Sequence, residues 1–290
     1  MSLTYVYCLV RSARRPSLRG IQAGMPGGGA VRILEIPKSR DWLIVSTVPG
    51  DAYGEEALEA GLQQLEWVAP RALAHEAVVE HFLAAPAVLP MQLFTMFTGD
   101  ARAVEHVVGD TRRIAAIMKR IEGQVEWGLR LTLDPEASAS ATSGRFATRP
   151  AALAGRPAER TAPARPRRRS KASDTSLPRR SSPKASAGGG AAYLAHKRDQ
   201  RDLARTRLKK GRSAANRMYR AVSREATAAR RRTETEQAAP GSRLVLDAAF
   251  LVPARRAAGF RAAVGRKARA LEDAGLTVSL TGPWPAYNFI

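Results

Sequence analysis

The sequence predicts an α+β protein built from two small α/β-sandwich domains joined by a disordered basic linker, with a long basic helix in the second. Three observations point there. Runs of period-two alternation and of helical spacing succeed one another at both ends of the chain, whereas residues 135–189 lose all apolar periodicity to Ala, Pro, Arg and Ser. The last ten residues, far from resembling a fraying terminus, hold two prolines and three large aromatics. The expected division is therefore 1–134, 135–189 and 190–290.

Tyr5 to Val10 is aromatic and β-branched enough for a buried strand. Arg11 to Gly29 is a loop; its Gly24-Met25-Pro26-Gly27-Gly28-Gly29 lacks the Gly-Lys-Ser/Thr ending of a phosphate loop. Val31 to Ile36 and Trp42 to Val48 form an antiparallel pair across Pro37 to Asp41. From Glu55 the spacing turns helical through Leu65, Pro70 breaks or restarts the helix, and Ala74, Val78 and Phe82 continue it. His75, Glu76 and His81 are read as solvated or capping side chains. His75 and His81 are six residues apart, roughly 240° round a helix, so they cannot share a metal ion.

Ala87 to Phe97 reads as one strand with Leu89, Met91, Leu93 and Phe97 on one face. Asp100 is the expected N-cap of a helix that runs to Gly123. Val125, Trp127, Leu129, Leu131 and Leu133 then alternate with polar residues, a strand closing the first domain. Strands with helices on one face suggest a ferredoxin-like arrangement for residues 1–134. Ala191 to about Glu236 is a basic helix or helix pair, followed by a strand at Arg243 to Val252, a helix with Phe260, Val264, Ala268 and Leu271 on one stripe, and a strand at Leu276 to Leu280.

Chemistry is conspicuous by its absence. Neither a nucleophile elbow, a dinucleotide fingerprint nor a Cys/His metal spacing occurs, so the expectation is a non-enzymatic protein with no metal and no cofactor. The single cysteine, Cys8, lies in an apolar run and suits a reducing compartment; no apolar run reaches about 18 residues, which argues against a membrane partner. The net charge of +21 is uneven. Residues 1–134 hold 14 Lys and Arg against 15 Asp and Glu, residues 135–189 hold 12 against 3, and residues 190–237 hold 14 against 5. That middle would attract nucleic acid nonspecifically, and an RNA-binding protein using residues 135–237 is the alternative function. Tyr193, Tyr219 and Phe146 are its only aromatics, too few for a base-stacking platform.

Pro283 and Pro285 pre-order the tail, and Trp284, Tyr287 and Phe289 would forfeit several kcal/mol of burial if left in water. The tail must dock, on its own protein or on a partner. Its Gly282-Pro283-Trp284-Pro285-Ala286-Tyr287-Asn288-Phe289 resembles the C-terminal signature of the gas vesicle protein F/L family. That family also has a Leu-Pro-Leu-Arg-Phe-Gly-Thr-Val-Phe-like strand after a His-Glu-containing helix, and a Glu-Trp/Val-rich strand. This chain has Leu89-Pro90-Met91-Gln92-Leu93-Phe94-Thr95-Met96-Phe97, His75-Glu76 and Glu126-Trp127-Gly128, departing from the pattern at Gln92 and Phe94. The resemblance implies a non-enzymatic accessory protein of gas vesicle assembly, in the cytoplasm or at the vesicle. Its implied partners are the small hydrophobic shell subunit and other accessory proteins. Leu89, Pro90, Thr95, Phe97, Glu126, Trp127, Gly282, Pro283, Trp284, Pro285, Tyr287 and Phe289 are the motif residues expected to contact partners or to define the scaffold.

Overall fold

An unbroken aromatic and β-branched run belongs in the middle of a sheet covered on both faces. Tyr5 to Val10 lies in such a strand, β1 (Ser2–Arg11), with every one of these residues buried. The computed structural model describes residues 1–21, 23–133, 147–149, 189–232, 242–272 and 275–290. In it β2 (Arg32–Glu35) and β3 (Asp41–Pro49) pair antiparallel, and β3 pairs antiparallel with β1. A short turn of helix, α1 (Gly50–Tyr53), then α2 (Glu55–Leu62) and α3 (Leu65–His81) lead to β4 (Ala87–Pro90) and β5 (Met96–Phe97), both antiparallel to β1. The first sheet has the order β2-β3-β1-β4, with β5 also against β1. Two helices follow, α4 (Asp100–Gly109) and α5 (Thr111–Ile121).

The second sheet takes β6 (Gln124–Leu133), β7 (Ala147–Arg149), β8 (Ala228–Arg231), β9 (Arg243–Pro253) and β10 (Leu276–Trp284), in the order β7-β10-β6-β9-β8. All neighbours are antiparallel except β7 and β10. α6 (Gly189–Ser223) precedes β8, and α7 (Ala257–Glu272) lies between β9 and β10. Among the described residues, those up to 149 and from 210 onwards make one compact unit, and residues 189–209 belong to another. Of the latter, the first part of α6 is described, and its side chains from Tyr193 to Arg207 are exposed.

Within the larger unit the two sheets share a core. Val6, Leu9, Leu43, Val45 and Leu89 of the first sheet pack with Ala249 and Leu251 of β9, together with Val107 of α4 and Met118 and Ile121 of α5. The other face of β1 carries Tyr5, Tyr7 and Val10 against Val78, Val79 and Phe82. The other face of the second sheet packs Trp127, Leu129 and Phe250 against Met218 and Val222 of α6 and Phe260 and Val264 of α7.

Several expectations from the sequence are corrected here. β6 was expected to close the first unit at residue 134; it lies in the second sheet between β9 and β10, where Leu129 and Leu131 are fully buried. The ferredoxin-like arrangement accordingly belongs to the second sheet: β6-α6-β8-β9-α7-β10 is the β-α-β-β-α-β motif, whereas a loop rather than a helix joins β1 to β2. The run from Ala87 to Phe97 is two strands, because Phe94 has φ 67° and turns the chain between them. The ring of Phe94 rests on Trp67, 5.3 Å between centroids, where the related pattern has the glycine that this φ favours.

The helix after Gly99 divides at Asp110. Asp100 makes no capping bond; its carboxylate accepts from Thr4 Oγ1 at 2.7 Å and from Arg32 Nη2 at 2.7 Å. The break before α3 falls at Gln63–Gln64, while Pro70 sits within the helix. α6 ends at Ser223, and the next residues supply β8 instead of more helix. Residues 147–149 of the expected disordered linker form β7; the rest of that expectation, save Gly189, lies outside the described residues. Among the described residues no helix is long and apolar enough to cross a membrane.

Candidate functional site

The chain's final ten residues dock on the protein itself. β10 runs beside β6 as far as the Trp284–Glu126 pair, with an irregularity after Thr281 that lets the strand leave the ladder. Gly282 makes that departure possible. Its φ is 122°, and a Cβ there would lie 2.8 Å from the carbonyl oxygen of Glu126. Gly282–Pro283 is a cis peptide. Pro285 and Ala286 are then buried, and Tyr287 to Phe289 close a single 3-10 turn in which Phe289 N–H donates to Ala286 O at 3.1 Å.

Two carboxylates receive this turn. Glu126, 2% exposed, accepts the backbone N–H of Asn288 at 2.8 Å on one oxygen and the Asn288 side-chain amide on the other. Burial pushes its carboxyl above the usual carboxylate range, and the Asn288 donors oppose that shift. Glu76 of α3 accepts the Tyr287 hydroxyl at 2.6 Å. Burial raises its carboxyl too, and Tyr287 opposes it. Phe289, 6% exposed, joins Ala286 in the core shared by the two sheets, with the Arg230 guanidinium 5.9 Å from its ring. The tail thus bonds to a helix over the first sheet, through Glu76, and to β6 of the second sheet, through Glu126, at once.

His75, next to Glu76, is buried. Its Nδ1 lies 2.7 Å from the Tyr5 hydroxyl, and its ring also bonds to the backbone of Met91. Tyr5 Oη in turn accepts the Phe94 N–H at 3.3 Å, which holds the turn between β4 and β5. Burial lowers the imidazole from 6.5 to about 4. The unfolded chain therefore binds a proton that the folded chain refuses between those values, so this group's stabilising contribution is lost as pH falls from about 6.5 towards 4. A His75→Gln variant lacks that contribution. The stability gap between it and the parent, measured by urea unfolding, is expected to narrow from pH 7.5 to pH 4.5; a constant gap would show that His75 titrates normally.

His75 and Glu76 are therefore corrected from solvated or capping side chains to a buried partner of Tyr5 and a half-buried partner of Tyr287. His81 keeps to the surface, with Nε2 2.9 Å from Ser17 O. Of the motif residues, Leu89, Pro90, Glu126, Trp127, Pro285 and Phe289 are buried; Thr95, Phe97, Gly282, Trp284 and Tyr287 are half-buried, and only Pro283 is exposed. The fold brings Glu126 and the tail together. Trp127 faces the other side of its sheet, its ring 6.1 Å from Phe260 and its Nε1 buried without a partner. Thr95 bonds locally to Gln92 O at 2.8 Å.

One feature escaped the motif reading. The α2–α3 corner leaves Leu62, Leu65 and Leu73 exposed by 53%, 80% and 52%. The corner is pinned by Trp67, whose ring lies so close over Gly61 that a Cβ there would be 2.4 Å away, and by Arg71 stacked 3.8 Å from that ring. The spacing Leu65-Ala69-Leu73-Ala77, each four residues on, was the available signal.

Among the described residues no group of three or more His, Cys, Asp or Glu side chains is placed to hold a metal ion. A family model described as gas vesicle synthesis protein GvpL/GvpF matches residues 3–290. Gas vesicle protein L of Streptomyces sp. (strain CB03234) is 30% identical over 95 residues, a match that spans 33% of this chain and only 36% of that relative's length. The crystal structure of gas vesicle protein GvpF from Anabaena sp. PCC7120 aligns with a TM-score of 0.60 at 12% identity, over 100% of this chain and 96% of that one. GvpF from Microcystis aeruginosa gives 0.57 at 11% identity, over 99% and 98%. These two likenesses are of fold, whereas the family model spans nearly every residue, motifs and tail included: the chain belongs to the GvpL/GvpF family of gas vesicle accessory proteins.

Proposed function

We propose that this protein is a non-enzymatic accessory factor of gas vesicle assembly that binds the small hydrophobic shell subunit, in the cytoplasm and at the growing vesicle, alongside other accessory proteins. The observation that carries this reading is the exposed apolar stripe of α2–α3. A subunit that builds a water-excluding wall exposes apolar surface before assembly, and a rigid apolar helix face can cover it. Leu62, Leu65 and Leu73 stand on a corner fixed by Trp67, Gly61 and Arg71, so little conformational freedom is lost on contact. The aromatic tail and the Trp127 strand supply the body that holds this face and are not the contact itself.

The test is a pull-down of the shell subunit at about 0.15 M salt with total RNA as competitor. The parent protein is expected to retain the subunit. A Leu62→Ser/Leu65→Ser/Leu73→Ser variant, altered only at exposed positions and so within about 0.5 kcal/mol per site of parental stability, is expected to retain at least ten-fold less. Equal retention by both proteins would remove the stripe from the mechanism, and displacement of the subunit by RNA would favour a charge-driven contact through residues 135–237.

A further inference from the structure

We propose that the same α2–α3 face is occupied, when no client is present, by the basic first half of α6 from a second copy of this chain. The two surfaces are complementary in charge and in apolar content. Residues 51–70 hold five acidic residues and no Lys or Arg. Glu55, Glu59 and Leu62 recur at i, i+4 and i+7, on one side of α2, and Leu65 and Leu73 follow on α3. All five are exposed.

The opposite pattern occupies residues 189–209 of α6. Leu194, Arg198, Arg201 and Arg205 fall at i, i+4, i+7 and i+11, beside Tyr193 and Lys197. Tyr193 and Leu194 are 61% and 60% exposed, large apolar side chains at one end of a basic ridge. Later in the same helix the buried face, with Ala215, Met218 and Val222, is covered by the second sheet. At 1.5 Å per residue, Tyr193 to Arg205 spans about 18 Å of α6 and Leu65 to Leu73 about 12 Å of α3, with Leu62 lying beyond the Gln63–Gln64 break. Two crossing helices form a small interface, which places the association in the weak, reversible class, and the two surfaces differ, so the contact is head-to-tail. A bound second copy covers Leu62, Leu65 and Leu73, and the shell subunit competes with it.

The inference uses the surface assigned to the shell subunit but stands on its own charge pattern, and its test separates the two. Mass is measured by light scattering on the full, nuclease-treated chain from about 1 to 200 μM, at 0.05 M and 0.5 M salt. Concentration-dependent oligomers at low salt are expected, with at least ten-fold weaker association at high salt. Arg198→Glu/Arg201→Glu/Arg205→Glu and Glu55→Lys/Glu56→Lys/Glu59→Lys, all at exposed positions, should each be monomeric alone and associate with one another when mixed. The arginine variant should still retain the shell subunit, since its α2–α3 face is intact. A parent that is monomeric throughout would overturn the proposal, as would charge variants that associate as the parent does or that fail to associate on mixing. Loss of shell-subunit binding with self-association preserved would instead overturn the function proposed above and leave this inference standing.

Discussion

Deletion of Gly282 to Ile290 is expected to abolish vesicle formation and to lower stability by about 5 kcal/mol, a large part of the roughly 5–15 kcal/mol that holds a domain folded. The estimate has two main parts. Removing Phe289 with Ala286 uncovers the core between the sheets, worth about 2–3 kcal/mol for the phenyl ring alone. Glu126 then loses both Asn288 donors, and a buried carboxylate stripped of its partners costs about 1–3 kcal/mol. Thermal denaturation of the truncated protein, together with electron microscopy of cells carrying it, checks the prediction. Normal vesicles and an unchanged melting temperature would mean that the tail is dispensable and that the scaffold role assigned to it is wrong.

A single methyl group should reproduce much of that effect. Gly282→Ala puts a Cβ 2.8 Å from a backbone oxygen of β6, at a φ of 122° that L residues rarely adopt. Backbone cannot step aside as a flexible side chain can, so the tail must lift from the sheet, and a loss of about 3 kcal/mol is expected. Gly275→Ala is the matched control: its φ of 72° is also positive, yet nothing lies within 4 Å of its Cβ, and about 1–2 kcal/mol is expected from conformation alone. Urea midpoints of the two variants decide the matter. Equal losses would show that close approach to Glu126 has no consequence beyond backbone strain. In the Gly282 variant, limited proteolysis with chymotrypsin should also cut after Tyr287 well before global unfolding.

Local patterns carried most of the elements into view, and distant pairings hid the rest. Alternation in residues 124–133 marked a strand because it records one buried face, but it carries no information on which sheet buries it. The partners of β6 lie at residues 243–253 and 276–284. β8 was lost for a different reason: Ala228-Ala229-Arg230-Arg231 has helix-forming composition, and edge pairing with β9 outweighs that preference. The aromatic tail was legible because Pro283 and Pro285 are already part-ordered in the unfolded chain. Its receptors were not, since Glu76 meets Tyr287 across 211 positions and a carboxylate on a helix ordinarily belongs in water.

The placement of β6 also sets an order of events during synthesis. Arg130 and Asp247, bonded across β6 and β9 at 3.0 Å, are 117 residues apart, and β10 comes later still. At about 5–20 residues per second, a ribosome needs on the order of 5–25 s to deliver β9 after β6. Through that interval Trp127, Leu129 and Leu131 have no sheet to join. The first sheet, complete by residue 97, can form early, while β6 waits as an unpaired apolar strand that is open to chaperones, to neighbouring chains and to any partner able to add a strand to it.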